Sequence, residues 1–389
     1  MTRDSSRRDF LKATGAAGTV VGLAGCSNPF GGSSYRTAIG MPTPQSGPLA
    51  PAGTAGLRGA QIAANEINEN RDEPIELVKQ DGQASPEEAR SVTQSMIDDD
   101  VPVITGTFSS DVSNALSDLV ENEGVPFMTA ISVDPGITSE SDDYTFRLTG
   151  DTIQKLTGLA QFFQDQGVGS VGIIGADYSM GRSAVEFMTN NASEYGFSVE
   201  YDSLVPLSTN NFVPEFRNVD VESLDAMFFP FPGGNGPTLI EQARNQGVFE
   251  AVNIVAGHDS YGMELYKSAL GEQIVDTHNW GVDLTSDRAQ SATQAMLDEY
   301  DVRMDALSLP NYDAVHMIAE AMDSAGSNEP GAIRDELANM TYEAASGWSV
   351  QFNEAGDNSQ YRMLVSKWVQ EDGSLRNRVQ YTSDIIARR

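Results

Sequence analysis

The sequence predicts an α/β protein built as two doubly wound parallel-sheet lobes, each sheet covered by helices on both faces. Three observations carry this expectation. From Tyr35 onward, short apolar runs alternate with stretches of helical periodicity. The alternation restarts after Thr149. Roughly 360 residues follow the N-terminal segment, too many for one ordinary core. Strands that alternate with helices of this length argue for parallel sheets.

The first series offers strands at Thr37–Met41, Ile75–Lys79, Val101–Thr105 and Pro126–Thr129. Helical stretches lie between them. Gly56–Asn68 places Leu57, Ala60, Ala64 and Ile67 on one face. Ser85–Asp98 opens with Ser85 as N-cap, Pro86 in the first helical position and Glu88 to complete a capping box. Ser110–Glu123 aligns Val112, Leu116, Leu119 and Val120.

The second series pairs helix Ile153–Gln166 with strand Ser170–Ile174, and helix Arg182–Tyr195 with strand Ser198–Leu204. Helix Thr238–Gln246 lies between strands Ala226–Phe229 and Asn253–Ala256. After Trp280 come helices Asp287–Tyr300, Asn311–Ala325 and Gly331–Asn339. The final apolar runs, Trp348–Phe352 and Met363–Trp368, read as a hairpin or as two edge strands. No sequence repeat links the two series; only the pattern recurs.

The first residues are a targeting signal rather than part of the fold. Arg7-Arg8-Asp9-Phe10-Leu11-Lys12 is followed by a weakly apolar stretch that ends Leu23-Ala24-Gly25-Cys26. A charged twin-arginine head, a short apolar middle and a small-residue site describe an export signal over residues 1–25. A transmembrane span takes about 20 apolar residues, more than this stretch supplies. The ending resembles a lipobox, which implies lipid on Cys26. Residues 26–34, rich in Gly and Ser, then form a flexible leash. The expected location is extracytoplasmic, lipid-anchored to the outer face of the membrane.

Composition excludes several classes of function. Cys26 is the only cysteine, so neither an internal disulfide nor a cysteine metal cage is possible. The net charge is -32, with 24 basic against 56 acidic residues. That argues against nucleic acid as a partner, because phosphate binding needs a basic surface. The acids are spread along the chain rather than clustered. Such self-repulsion is relieved in molar salt, where the Debye length shrinks to about 3 Å. A halophile's protein, from an archaeon, is expected. His258, His278 and His316 are the only histidines and are scattered. No zinc-protease, phosphate-loop or nucleophile-elbow motif occurs. The expectation is a protein that is not an enzyme and needs no cofactor or metal.

Open parallel sheets bind ligands at the carboxyl ends of their strands and at helix N-termini. Three strand ends here are rich in small polar groups. Gly106-Thr107-Phe108-Ser109-Ser110-Asp111 joins a strand to a helix and presents free amides with two hydroxyls, a site for a carboxylate. Ser110 or Asp111 can equally serve as a helix cap there, and the two roles are compatible. Thr129-Ala130-Ile131-Ser132-Val133-Asp134-Pro135 is the second strand end, and Ala256-Gly257-His258-Asp259-Ser260-Tyr261-Gly262 the third. Asp259 follows an apolar strand, where an acid can hold an ammonium or lie solvated on the surface.

At these residues the chain resembles the leucine/isoleucine/valine-binding protein family, the type 1 periplasmic binding proteins that serve ABC importers. The likeness runs from Tyr35 to about Trp368. It rests on Ser46-Gly47-Pro48, Gly59-Ala60, Asp81 with Pro86, Gly106 followed by Ser109-Ser110, Pro135 with Thr138, Arg147-Leu148, Gly181-Arg182-Ser183 and Gln242-Ala243-Arg244. The resemblance implies two lobes joined by three hinge crossings, with a small amino-acid-like ligand trapped on closure. It implies lobe 1 as residues 35–148 with 281–347, and lobe 2 as 149–280 with 348–389, with crossings near Leu148, Trp280 and Gly347.

Residue by residue, the resemblance implies that Ser110 receives the ligand carboxylate, with Ser109 beside it and Ser132 adding contacts. It implies Asp259, next to Ser260, against the ammonium, and Phe231 in an aromatic wall. The chain departs from the pattern at Ala52 and Met180, where wall aromatics are usual, and at Val133, where a threonine often binds the carboxylate. The implied partners are a small-molecule ligand and the permease subunits of the importer, with the binder itself a monomer. Two alternatives remain: a ligand-sensing protein for a membrane receptor, and a binder of an amide, urea or another small organic solute.

Overall fold

The computed structural model describes residues 35–231, 235–258, 274–278, 286–371 and 373–387. Two sheets organise them. The first has strands β1 Ala38–Thr43, β2 Glu76–Asp81, β3 Ile104–Gly106, β4 Phe127–Thr129 and β5 Thr145–Arg147, in the order β2-β1-β3-β4-β5, all parallel. Their crossovers are helices α1 Ala50–Asn68, α2 Pro86–Asp98 and α3 Ser110–Glu123.

The second sheet begins after α4 Thr152–Asp165. Its parallel strands are β6 Ser170–Ala176, β7 Ser198–Val205, β8 Ala226–Phe229, β9 Ile254–His258 and β10 Ile274–His278. Helices α5 Ser179–Asn191, α6 Val213–Asn218, α7 Gly236–Asn245 and α8 Val248–Ala251 lie between them in sequence. Helices α9 Asp287–Tyr300, α10 Ser308–Ala325 and α11 Pro330–Asn339 then return to the first sheet, where α9 and α10 pack on α1 and α11 packs on α10. A short pair, β11 Tyr342–Glu343 and β12 Ser349–Val350, follows. The chain closes with β13 Leu364–Glu371 and β14 Ser374–Thr382, antiparallel at the edge of the second sheet, whose order is β14-β13-β10-β9-β8-β6-β7. The chain thus passes between the two sheets three times.

Alternation along the buried strands fixes the layers. Ala38 and Ile104 face α2 and α3, in a cluster with Met96, Val112, Leu116 and Phe127. Ile39, Met41 and Val103 face the other way, toward α1 and α10, in a cluster with Ala60, Val315 and Ile318. In the second sheet Phe228 packs with Leu159 and Phe163 of α4, while Met227 and Phe229 pack with Leu239 and Ile240 of α7.

Helix α3 begins and ends where the sequence places it. Helix α1 starts six residues earlier than Gly56, because Pro51 supports a first turn that the periodicity does not reveal. The Ser85 box is half formed: Ser85 Oγ accepts from Glu88 N at 3.4 Å, but Ser85 N donates to Gly82 O. A complete box caps α4 instead, between Asp151 and Gln154.

The last two apolar runs do not form a hairpin with each other, and of the two only Ser349–Val350 is an edge strand, because β13 is flanked on both sides. β12 pairs with β11, and β13 pairs with β10 and β14. Ser374–Thr382, at the edge of the sheet, carries too many polar residues to stand out as an apolar run.

Candidate ligand-binding cleft

In an open parallel sheet, the ligand crevice forms where strand order reverses, outside the carboxyl ends of the strands. The first sheet reverses at β1 and β3, and the second at β6 and β8. The segments leaving those strands are 44–49 and 107–109 in the first lobe, and 177–178 and 230–231 in the second. The segment after β4, 130–134, lies beside them.

The loop after β1 is shaped by Asp81, the last residue of β2. Its Oδ1 accepts from Gln45 N and Gln83 N, both at 2.8 Å. Desolvation raises the Asp81 pKa, but the hydrogen bonds from Gln45, Ser46 and Gln83 together outweigh it and hold the carboxyl below its ordinary value.

The loop after β3 turns sharply. Gly106 has φ +96° and Thr107 follows at φ +54°, a left-handed conformation that a threonine adopts only under constraint. The constraint is visible. Thr107 Oγ1 bonds Ser113 Oγ and lies 3.2 Å from Ser132 Oγ, and Ser113 Oγ donates to Ser132 Oγ at 2.7 Å. Nearby, the buried Thr43 hydroxyl at the end of β1 has no hydrogen-bond partner among the described residues.

Ser109 is the N-cap of α3 and makes no side-chain capping bond; both it and Ser110 are buried. Neither Ser110 nor Asp111 caps α3. Ser110 Oγ accepts from Val133 N at 3.4 Å, which joins the two strand-end segments of the first lobe. The Ser132 hydroxyl is engaged within the lobe by Thr107 and Ser113.

From the second lobe, Met180 lies buried in the first turn of α5. Gly181 lets that turn sit on the end of β6: a Cβ there would fall 1.9 Å from Ala176 O. Phe231, fully buried after β8, meets Phe212 edge-on at 5.1 Å between ring centres. Phe108, Val133, Met180, Phe212 and Phe231 belong to one continuous apolar cluster. Asp259, Ser260 and Cys26 lie outside the described residues.

The two lobes touch at this level. Ser179 Oγ donates to Asp111 Oδ1 at 2.6 Å, and Ser183 Oγ donates to Asp134 Oδ2 at 3.1 Å. The structure therefore brings Ser109, Ser110, Val133 and Met180 to one interlobe seam. Sequence reasoning missed Thr43, Thr107 and the roles of Asp111 and Asp134. Asp134 carries a local signal as an N-cap before Pro135; its Oδ1 accepts from Gly136 N at 3.0 Å.

The segments leaving the two switch points meet across the seam, the arrangement in which open parallel sheets hold ligands. The chain matches the periplasmic binding protein family over residues 37–373. It belongs to that family. Residues 4–24 match the twin-arginine translocation signal, so this family member is extracytoplasmic.

Among its relatives, the Leu/Ile/Val-binding protein homolog 8 of Brucella melitensis is 25% identical over 392 residues, covering 92% of this chain and 94% of the relative. The fold is similar to that of a solute-binding protein of an ABC transporter from Rhodopseudomonas palustris, solved with 3,4-dihydroxy benzoic acid. The TM-score is 0.81 and the identity 21%, over 90% of this chain and 97% of the other. It is also similar to the branched-chain amino acid transporter substrate binding protein of Streptococcus pneumoniae, solved with isoleucine. There the TM-score is 0.76 and the identity 20%, over 91% and 100% of the two chains.

Proposed function

We propose that this protein is the solute-binding component of an ABC importer, and that it holds a branched-chain-amino-acid-like ligand between its lobes without any catalytic step. The observation that carries the reading is the meeting of the two switch points, with the start of α3 from one lobe and the start of α5 from the other bridged by Asp111 and Ser179. The Brucella relatives named for Leu/Ile/Val binding support the same class of solute.

In this reading Ser110, Ser109 and the first amides of α3 receive the carboxylate. Ser132 and Val133 line the same side, Ser132 by bracing Thr107. Met180 and Phe231 form the wall for the side chain, and Asp259 with Ser260 receives the ammonium. Ligand contact with both lobes favours the closed form, which the permease recognises. The lobes comprise 35–148 with 281–347 and 149–280 with 348–389. Because β12 pairs back onto β11, the third crossing is drawn out from Gly347 to Asp357 and Asn358. The exported chain is a monomer, anchored by lipid on Cys26 and suited to molar salt in a halophile.

A second reading is favoured by the apolar, aromatic character of the second-lobe wall. Phe212 and Phe231 set edge to face also suit an aromatic carboxylate. A thermal-shift screen in molar salt separates the two. Isoleucine, leucine or valine is expected to raise Tm, since a solute at 100 times its Kd stabilises by about 2.7 kcal/mol. Stabilisation by 3,4-dihydroxybenzoate alone selects the second reading. No response to any amino acid or aromatic acid would sink both.

A further inference from the structure

We propose that Asp111 and Asp134 are positioning residues that latch α5 of the second lobe onto the first lobe and so set the Met180 wall. The proposal rests on the reading of the interlobe seam as the ligand site.

Helix α5 begins without a cap of its own. Its N-cap residue, Tyr178, makes no side-chain capping bond, and its first turn holds no acidic residue. The first amides of a helix have no partner within the helix, and a carboxylate there is favoured by those N–H groups and by the helix dipole. Here the carboxylate comes from the other lobe. Asp111 Oδ1 accepts from Ser179 Oγ at 2.6 Å and from Ser179 N at 3.4 Å, and lies 3.9 Å from Arg182 Nη2. Arg182 is itself held by Asp177 at 2.8 Å.

One turn on, Ser183 meets Asp134. The Asp134 carboxylate is committed to its own lobe at its other oxygen, which accepts from Gly136 N at 3.0 Å and Asn114 Nδ2 at 3.2 Å. Met180 lies between Ser179 and Ser183, so two carboxylates of one lobe fix the turn that carries it. Separation of the lobes breaks both contacts and leaves the start of α5 uncapped. The bonds are hydroxyl to carboxylate rather than simple ion pairs, so screening in strong salt removes only part of their strength.

The test needs no solute, so its failure is distinct from failure of the ligand reading. Spin labels on Ser91→Cys and Ser193→Cys, in the chain carrying Cys26→Ser, report the interlobe distance by pulsed electron resonance. Asp111→Ala is expected to lower the closed-to-open ratio about 3- to 10-fold, the scale of one partly exposed charge-assisted bond, with Tm unchanged. Ser179→Ala should match it, and the two together should add nothing further. Asp111→Asn, which keeps an acceptor oxygen, should recover part of the loss. Ser183→Ala probes the Asp134 contact without disturbing that residue's own lobe, and should also favour the open form. Distance distributions identical to the parent, or additive effects of Asp111→Ala and Ser179→Ala, overturn the latch.

Discussion

Arg147 and Asp357 stand 210 residues apart in sequence, yet the Arg147 guanidinium donates to Asp357 Oδ1 at 2.9 Å from Nε and 2.5 Å from Nη2. Both side chains are fully buried. Arg147 closes β5, the last strand before the chain first leaves the first sheet. Asp357 lies where the chain passes for the third time. The backbones join there as well: Arg147 N donates to Gly356 O at 2.8 Å and Asn358 N to Arg147 O at 3.2 Å. Gly356, at φ +77°, approaches so closely that a Cβ would fall 2.0 Å from Thr145 O. Two crossings are thereby fastened into one pivot. The guanidinium also reaches Asp134 O at 2.6 Å, which ties the pivot to the residue that meets Ser183 across the seam.

Breaking that pair is expected to be costly. Asp357→Ala leaves a buried guanidinium without its main partner, and such a loss typically costs about 3–5 kcal/mol. Asp151, 3.9 Å from Arg147 Nη2, offsets part of it. Denaturant unfolding in molar salt measures the difference. A loss below about 1 kcal/mol would mean that the backbone pairing alone holds the pivot.

On the outer face of the first lobe, Glu66 accepts from Tyr312 Oη at 2.6 Å and lies 3.7 Å from His316 Nε2. The interaction with His316, aided by Tyr312, lowers the Glu66 pKa despite partial burial. A carboxylate with a depressed folded pKa contributes stability above its unfolded value, near 4.5, and loses it as pH falls through the folded value. Glu66→Gln should therefore lower Tm at neutral pH by about 1–3 °C, the scale of one hydrogen bond to a charged group in a chain this large. The gap between the two proteins should narrow as the pH falls below about 4.5. A gap that is constant from pH 7 to 3 would show that ionisation of Glu66 plays no part.

Much of the fold is legible in the sequence because its central strands are buried on both faces and so appear as short apolar runs. Ala226–Phe229 is found at both ends for that reason. β5 is three residues long, one of them Arg147, and hides inside a polar stretch. The site was legible only in part. Ser109 and Ser110 stand out because small polar residues follow a strand and open a helix. The links from Asp111 to Ser179 and from Asp134 to Ser183 join residues 68 and 49 positions apart, and no local rule pairs one carboxylate among 56 acidic residues with a particular hydroxyl.

The acidic excess predicts a salt requirement. Lowering salt from molar to about 0.1 M lengthens the screening distance from about 3 Å to about 10 Å. Repulsion among 56 acidic and only 24 basic residues then grows. Tm should fall on dilution, in chloride and at constant pH. A flat or rising Tm would remove the case for a halophilic design.

The lipid proposed on Cys26 predicts a simple fractionation result. Cys26→Ser should move the protein from the membrane fraction into the medium, because residues 27–34 hold only one large apolar side chain, Phe30, and no helix among the described residues is long and apolar enough to span a bilayer. Equal retention of both proteins would dismiss the anchor while leaving the twin-arginine signal intact.

The sharpest prediction concerns the ligand clamp, because it separates an amino acid from an aromatic acid. An amino acid carries a carboxylate and an ammonium on one carbon, so it needs a donor-rich side and an acid a few ångströms apart. Ser110 and the start of α3 are proposed to supply the first from one lobe. Asp259, just beyond β9, is proposed to supply the second from the other. Charge-assisted hydrogen bonds of this kind contribute about 1.5–3 kcal/mol. Asp259→Ala should therefore weaken isoleucine binding by roughly one to two orders of magnitude, since about 1.4 kcal/mol is tenfold. Asp259→Asn keeps the size and loses the charge, so it should bind isoleucine poorly as well. An aromatic carboxylate has no ammonium, so its affinity should be unchanged or improved in both variants. Ser110→Ala should weaken both classes, because both share the carboxylate. Calorimetry on the three variants with isoleucine and 3,4-dihydroxybenzoate resolves the matter. If isoleucine binds the parent and Asp259→Ala equally well, Asp259 is one more solvated acid on a very acidic surface, and the ammonium must be held elsewhere.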